Sequence, residues 1–144
     1  MRRNCVIQSL YHTDRGAEPT TYDYEPDICF FGNEKASRFS PEQIHFPAPD
    51  LSVEVLSSST ESMDRGVKFD DYASHGVSEY WIIDPVLETV EQYRLNEKVY
   101  DLTVKAKTGE LESFAVPGFV IPVPAIFDEE VHQMALRQIL SAQG

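Results

Sequence analysis

The sequence predicts an α/β fold built on a central mixed β-sheet, and three observations carry that reading. Residues 50–84 run strand, helix, strand with short links, a βαβ unit whose two strands pair in parallel. TVEQYRL and VYDLTVK then alternate apolar and polar residues across a short NEK link, which makes an antiparallel hairpin beside that unit. The 144 residues are 42% hydrophobic and 11% aromatic, which suits one domain with one core.

Each element has its own signal. Residues 5–11 form a short first strand, and TDRGAEPTT is a polar turn punctuated by Gly16 and Pro19. TYDYEPDICFF gives a strand over about residues 26–31, and GNEKASRFSPEQIHFPAP is a long connection of the kind that often carries function. A strand follows from residue 50 to Leu56, then a Ser/Thr cluster at 57–60 that can cap a helix over roughly 61–75, with Gly76 at its C-terminal cap. SEYWIID is a buried strand in which Glu79 and Trp81 are architectural, and Asp84-Pro85 turns the chain. After the hairpin, ELESFAVPGFVIPV is extended and broken by Pro117, Gly118 and Pro122. FDEEVHQMALRQILSAQG closes the chain as an amphipathic helix lying on the sheet. Asp128 caps it, and the acidic first turn complements the helix dipole and is not a metal site.

Composition narrows the function. The net charge is −12, so the total offers no broad basic surface for naked nucleic acid, although Arg2, Arg3, Arg15, Lys35 and Arg38 could line a local basic groove. Cys5 and Cys29 form no CxxC pair and the histidines are scattered, which argues against structural zinc. No run approaches the ~20 apolar residues of a membrane span, so cytoplasmic residence is the default expectation.

The chemistry is concentrated around APDLSVEVLSSST, residues 48–60. If Leu51, Val53 and Val55 face a core, alternation turns Asp50, Ser52, Glu54 and Leu56 to the other face, leaving a carboxylate in the middle of an apolar strand. Asp50 and Glu54 are ~13 Å apart along the strand and cannot share one small cation. Asp27, placed in the EPDICFF strand, is the natural partner for Glu54. Facing positions on neighbouring strands ~4.8 Å apart let the two converge on Mg²⁺. Asp64, Lys68 and Tyr72 are spaced four apart and share a helical stripe that brings Lys68 back over the strand ends. There it can orient an attacking water and offset charge at a pentavalent phosphorus.

YEPDICFF, PDLSVEVLSSST, DRGVKFDDYASHGVSEYWIIDP and VPGFVIPVPAIF together resemble the Uma-type restriction endonuclease family common in cyanobacteria, within the PD-(D/E)xK nuclease superfamily. The resemblance spans about residues 22–128. It implies a restriction-endonuclease-like fold and Mg²⁺- or Mn²⁺-dependent hydrolysis of DNA phosphodiesters, with Asp27 and Glu54 as metal ligands and with Lys68 completing the catalytic set. The position two past Glu54 is Leu56 where the superfamily pattern has lysine, and in this family that lysine has moved to the following helix, which falls on Lys68. Family members begin with an N-terminal helical region bearing an acidic residue, and its absence predicts that residues 1–144 form a single, N-terminally truncated domain. Two further expectations follow. A catalytically inactive relic acting as a binding or oligomerisation module is the alternative to an active endonuclease, and a truncated domain exposing an apolar sheet face would form a homo-oligomer.

Overall fold

The computed structural model describes residues 6–11 and 20–142. In chain order its elements are β1 (Val6–Tyr11), β2 (Thr20–Tyr24), β3 (Ile28–Phe30), α1 (Asn33–Ala36), β4 (His45–Phe46) and β5 (Leu51–Val55). Then come α2 (Glu61–Arg65), α3 (Val67–Ser74), β6 (Glu79–Asp84), β7 (Thr89–Asn96), β8 (Val99–Ala106), β9 (Glu110–Glu112), β10 (Val120–Pro122), a 3-10 turn (Val123–Ile126) and α4 (Glu129–Ser141).

The central sheet has five strands in the order β3-β5-β6-β7-β8. Only β5 and β6 pair in parallel, joined through α2 and α3, and the remaining pairs are antiparallel. This is the mixed sheet with a βαβ unit that the sequence predicts. Two small sheets accompany it, β2-β1-β4 and β10-β9.

Alternation along β5 explains why both faces of the sheet are covered. Leu51 and Val53 point into one core with Trp81, Ile83, Val90, Leu111 and Val123, roofed by β9, β10 and the 3-10 turn. Ser52 and Glu54 point the other way, toward α2 and α3, where Tyr72, Ala73, Val77, Tyr80, Ile82 and Tyr100 form a second, aromatic core. Phe69 packs edge-on to Tyr93 and Tyr100, and Tyr72 edge-on to Tyr24 and Tyr80. Such contacts add to the area they bury.

Three expectations are corrected. The expected helix over 61–75 is two helices, because Gly66 takes φ −113° and ψ −108° between them. A Cβ there would lie 2.7 Å from the Ser62 carbonyl oxygen, so only glycine fits without a shift. The strand expected over 26–31 is shorter, and Asp27 precedes its first residue. Finally, α4 is capped by Asp128, which accepts from the Val131 N–H at 3.0 Å, but it packs on the 3-10 turn and β10 rather than on the central sheet. Its Met134, Leu136 and Leu140 are exposed.

Gly76, at φ +83°, closes α3 in the conformation that glycine adopts without strain. The long connection over residues 32–49 holds α1 and β4 and is pinned by Lys35, which pairs with Asp50 at 2.7 Å. No helix among the described residues is long and apolar enough to cross a membrane.

Candidate functional site

The pairing of β3 with β5 sets Ile28 against Val53 and Cys29 against Ser52, so one step further Asp27 lies opposite Glu54. Directly opposed residues of an antiparallel pair share a face. Asp27 is exposed at the rim, where its Oδ2 accepts the Val55 N–H at 2.7 Å and so extends the ladder by a side chain. Glu54 is the inner group, 3% exposed.

The helices complete the arrangement. Lys68 Nζ donates to Asp64 Oδ1 at 2.8 Å and pairs with Glu54 Oε1 at 3.3 Å, and the Tyr72 hydroxyl donates to the same Glu54 oxygen at 2.9 Å. The four-residue spacing of Asp64, Lys68 and Tyr72 therefore brings all three to Glu54's side of the sheet, despite the break at Gly66. Asp64 is itself buried, and its carbonyl oxygen accepts from the Tyr80 hydroxyl at 2.9 Å. Asp27, Glu54, Asp64 and Lys68 line one cleft of about 440 Å³ together with Glu25, Ser57 and Thr60.

The electrostatics are unbalanced. Four carboxylates line the cleft against one ammonium, a net charge of −3 when all are ionised. Burial pushes the Glu54 carboxyl up from 4.5 to about 7, with Asp64 adding to the rise, and the Lys68 charge and the Tyr72 hydrogen bond only partly oppose it. For Lys68, burial pulls downward, but the hydrogen bond to Asp64 and the charge of Glu54 outweigh it, so its pKa is raised and the side chain remains an ammonium. Burial and the neighbouring Glu54 charge raise the Tyr72 hydroxyl, which stays a donor.

The donor set fits a small hard cation. Among the described residues no three of His, Cys, Asp and Glu are grouped closely enough to hold a metal by themselves. Two carboxylates, Asp27 at the open rim and Glu54 inside it, are nevertheless the usual protein share of a Mg²⁺ site, which keeps several waters and takes further oxygens from substrate phosphates. A divalent ion would also stabilise the ionised form of Glu54, which burial disfavours.

The remaining candidates separate from the cleft. Asp50 sits at the other end of β5 and holds Lys35 and the Gly32 N–H, each at 2.7 Å. Glu79, fully buried on β6, accepts from Trp81 Nε1, Gln92 Nε2, Ser113 Oγ and the Ala115 N–H at 2.6–2.8 Å, and thereby ties the β9–β10 region to the sheet. Asp84 accepts the N–H groups of Val86 and Leu87 in the turn after β6. In the proposed basic groove Lys35 is committed to Asp50 and Arg38 to Glu34, while Arg2, Arg3 and Arg15 lie outside the described residues.

Two participants escaped the sequence reading. Glu25 lines the cleft two residues before Asp27, but nothing in YEPD distinguishes it from a turn carboxylate. Glu91 on β7 is 3% exposed and is held by Arg65, Lys105 and Tyr93. Its signal was available, since Glu91 alternates with Tyr93 and Leu95, which face the aromatic core.

A family model named Uma2 and described as "Putative restriction endonuclease" matches residues 6–124. This chain belongs to the Uma2 family. The Uma2 match encloses every cleft residue named above. A crystal structure from Anabaena variabilis, described as "a putative nuclease belonging to DUF820", superposes with a TM-score of 0.61 at 19% identity, over 87% of this chain and 64% of that one. That likeness establishes the restriction-endonuclease-like α/β fold for this Uma2 chain, which spans about 64% of the length of that relative. No curated protein matches it.

Proposed function

We propose that the chain is a Mg²⁺- or Mn²⁺-dependent endonuclease that hydrolyses DNA phosphodiesters, with Asp27 and Glu54 as metal ligands and Lys68 as the cationic catalytic group. One observation carries the reading. Asp27 and Glu54 stand in cross-strand register within one acidic cleft, and Lys68 lies 3.3 Å from the buried carboxylate. Family membership supports the nuclease class, and the composition of the cleft supports the need for a cation.

A divalent ion held by Asp27 and Glu54 would supply Lewis-acid chemistry toward phosphoryl oxygens and water. The protein's own groups do the rest. Asp27 is held at the rim through one oxygen by the Val55 N–H, and its other oxygen would meet the cation. Tyr72 and Lys68 fix one oxygen of Glu54. Lys68 is an ammonium with three donors and no acceptor, so it orients the lone pair of an attacking water and stabilises charge developing at phosphorus; it is not the base. Asp64 restrains that ammonium through its 2.8 Å bond and so acts as a positioning residue. An acidic cleft would repel a polyanion by itself, which makes the cation a condition for substrate binding as well as for chemistry.

The test is nicking of supercoiled plasmid in Mg²⁺ or Mn²⁺ by the wild type, Asp27→Asn, Glu54→Gln and Lys68→Ala. We expect cleavage by the wild type alone. Equal nicking by all four proteins removes the proposal.

A further inference from the structure

A second buried carboxylate shares the sheet face of the cleft. Cross-strand pairing sets Glu54 beside Ile82, Ile82 beside Glu91 and Glu91 beside Lys105, so one row across the sheet runs from the proposed metal site to its far edge. Glu91 is 3% exposed. Its carboxylate accepts from both terminal nitrogens of Arg65 at 2.8 and 3.3 Å, from Lys105 Nζ at 2.9 Å and from the Tyr93 hydroxyl at 2.5 Å. Arg65 belongs to the helical segment that also carries Asp64, and Lys68 follows three residues later.

Stability alone does not call for this arrangement. A buried ion cluster is commonly no better than well-packed apolar residues of the same volume, because desolvation offsets the attraction. What the cluster does achieve is to hold two cationic side chains, 35% and 59% exposed, on the same face as the cleft of a chain whose net charge is −12. Glu91 can neutralise only one of them. The other charge is met by Glu61, which lies 3.3 Å from Arg65 Nε and is 55% exposed, a surface pair of the kind that contributes little and yields readily to a better anion.

We infer that Arg65 and Lys105, held by Glu91, form a subsite for a backbone phosphate of the substrate strand away from the scissile bond. The inference rests on the nuclease reading and deepens it. Glu91 and Lys105 lie two and three strands from Glu54, or about 10 and 14 Å at the Cα atoms. Because the strand also winds about the duplex axis, neighbouring phosphates lie about twice the ~3.4 Å axial rise apart, so the subsite falls about two phosphates from the cleft. Arg65 supplies a planar fork whose orientation Glu91 fixes, and Lys105 supplies a solvent-facing ammonium. Once a phosphate displaces Glu61 from Arg65, the two side chains hold one positive charge in excess of Glu91, on the flank of an acidic cleft.

The experiment measures binding of a fluorescent DNA duplex to the full chain, with Ca²⁺ in place of Mg²⁺ to suppress turnover, at salt concentrations from 50 to 200 mM. Lys105→Gln leaves the Arg65–Glu91 pair intact, and Lys98→Gln, in the β7–β8 turn, is the charge-matched control. Loss of one phosphate contact lowers the slope of log K against log salt by about 0.9. The salt-induced weakening over this range therefore becomes about 3.5-fold smaller for Lys105→Gln, and smaller again for Arg65→Gln/Lys105→Gln. Lys98→Gln keeps the wild-type slope. Equal slopes for Lys105→Gln and Lys98→Gln overturn the subsite while leaving the nuclease reading standing. A wild type that does not bind DNA at any of these salt concentrations overturns both.

Discussion

Replacing Glu54 with glutamine should change how stability depends on pH, in a direction the structure fixes. The folded-state pKa of Glu54 is raised from 4.5 to about 7, chiefly by burial. Between those values the native state holds a proton that the unfolded chain has released, so stability is fully present below pH 4.5 and is lost as the pH rises through 7. At 1.36 kcal/mol per pKa unit, the loss between pH 5 and 8 is about 2.5 kcal/mol, a large share of the 5–15 kcal/mol typical of a domain. Glutamine carries no such proton and still accepts from Tyr72 through its amide oxygen. In EDTA, urea denaturation of the wild type should therefore show a midpoint that falls from pH 5 to 8 relative to that of Glu54→Gln. Adding Mn²⁺ at pH 8 should restore the wild type and leave the variant unchanged, since only the wild type gains a ligand for the cation. Parallel profiles for the two proteins would refute the argument that Glu54 is a carboxylate short of positive charge.

Glu91 should behave with the opposite sign. Burial raises it, but the hydrogen bonds from Arg65, Tyr93 and Lys105 hold it down at about 2, so its contribution is present above pH 4.5 and disappears as the pH falls toward 2; acid titration followed by circular dichroism, comparing wild type with Glu91→Gln, tests this. Glu79→Gln should cost about 3 kcal/mol, because the amide nitrogen cannot accept and strands either the Ala115 N–H or the Trp81 and Gln92 donors in the core; the urea midpoint should fall with the m-value unchanged. Asp27→Asn should leave the unfolding free energy within about 0.5 kcal/mol of wild type, since the amide oxygen can still accept from Val55 and the residue is exposed, yet abolish plasmid cleavage. Gly66→Ala should destabilise by about 1–3 kcal/mol, because its Cβ meets the Ser62 carbonyl, and should lower cleavage further by shifting Lys68 relative to Asp64.

What the sequence disclosed depended on whether a signal was periodic. Alternation through LSVEV identified β5 and put Glu54 on the face opposite Leu51 and Val53, and four-residue spacing put Asp64, Lys68 and Tyr72 on one stripe. Those two periodicities placed Glu54 and the helical groups of the cleft, whereas Asp27 came from the EPDICFF segment and the family resemblance. The break at Gly66 carried no periodic signal, because it arises from close approach to the Ser62 carbonyl rather than from hydrophobic pattern. The strands β2 and β4 were missed because TTYDY follows a polar turn segment without apolar alternation, while HF is too short for any period and pairs with β1 only at long range. The partners of Glu91 were also illegible, since Arg65 reaches it across 26 positions of the chain. Alternation with Tyr93 and Leu95 puts Glu91 on the core-facing side, but it does not tell which side chains meet it there.

The two buried glutamates of this row show how one residue type can take opposite roles. Glu91 meets two cations and a hydroxyl, and its acidity is strengthened to about 2. Glu54 shares a single ammonium with Asp64, and its acidity is weakened to about 7. Solvent exposure is the same, 3% in each case, but Glu54 lies deeper in the protein and has fewer cations within reach, so depth and positive charge together separate the two. A carboxylate already satisfied by the protein has no need of an ion and serves as an anchor for the side chains that hold it. A carboxylate left short of charge, beside a second one in register at the rim of an open cleft, has its ionised form stabilised by an added cation. The position of Lys68 sharpens this asymmetry. Committed at 2.8 Å to Asp64 and only at 3.3 Å to Glu54, it leaves the inner carboxylate incompletely compensated while keeping an ammonium beside it, an arrangement that suits the metal-assisted hydrolysis proposed for this cleft.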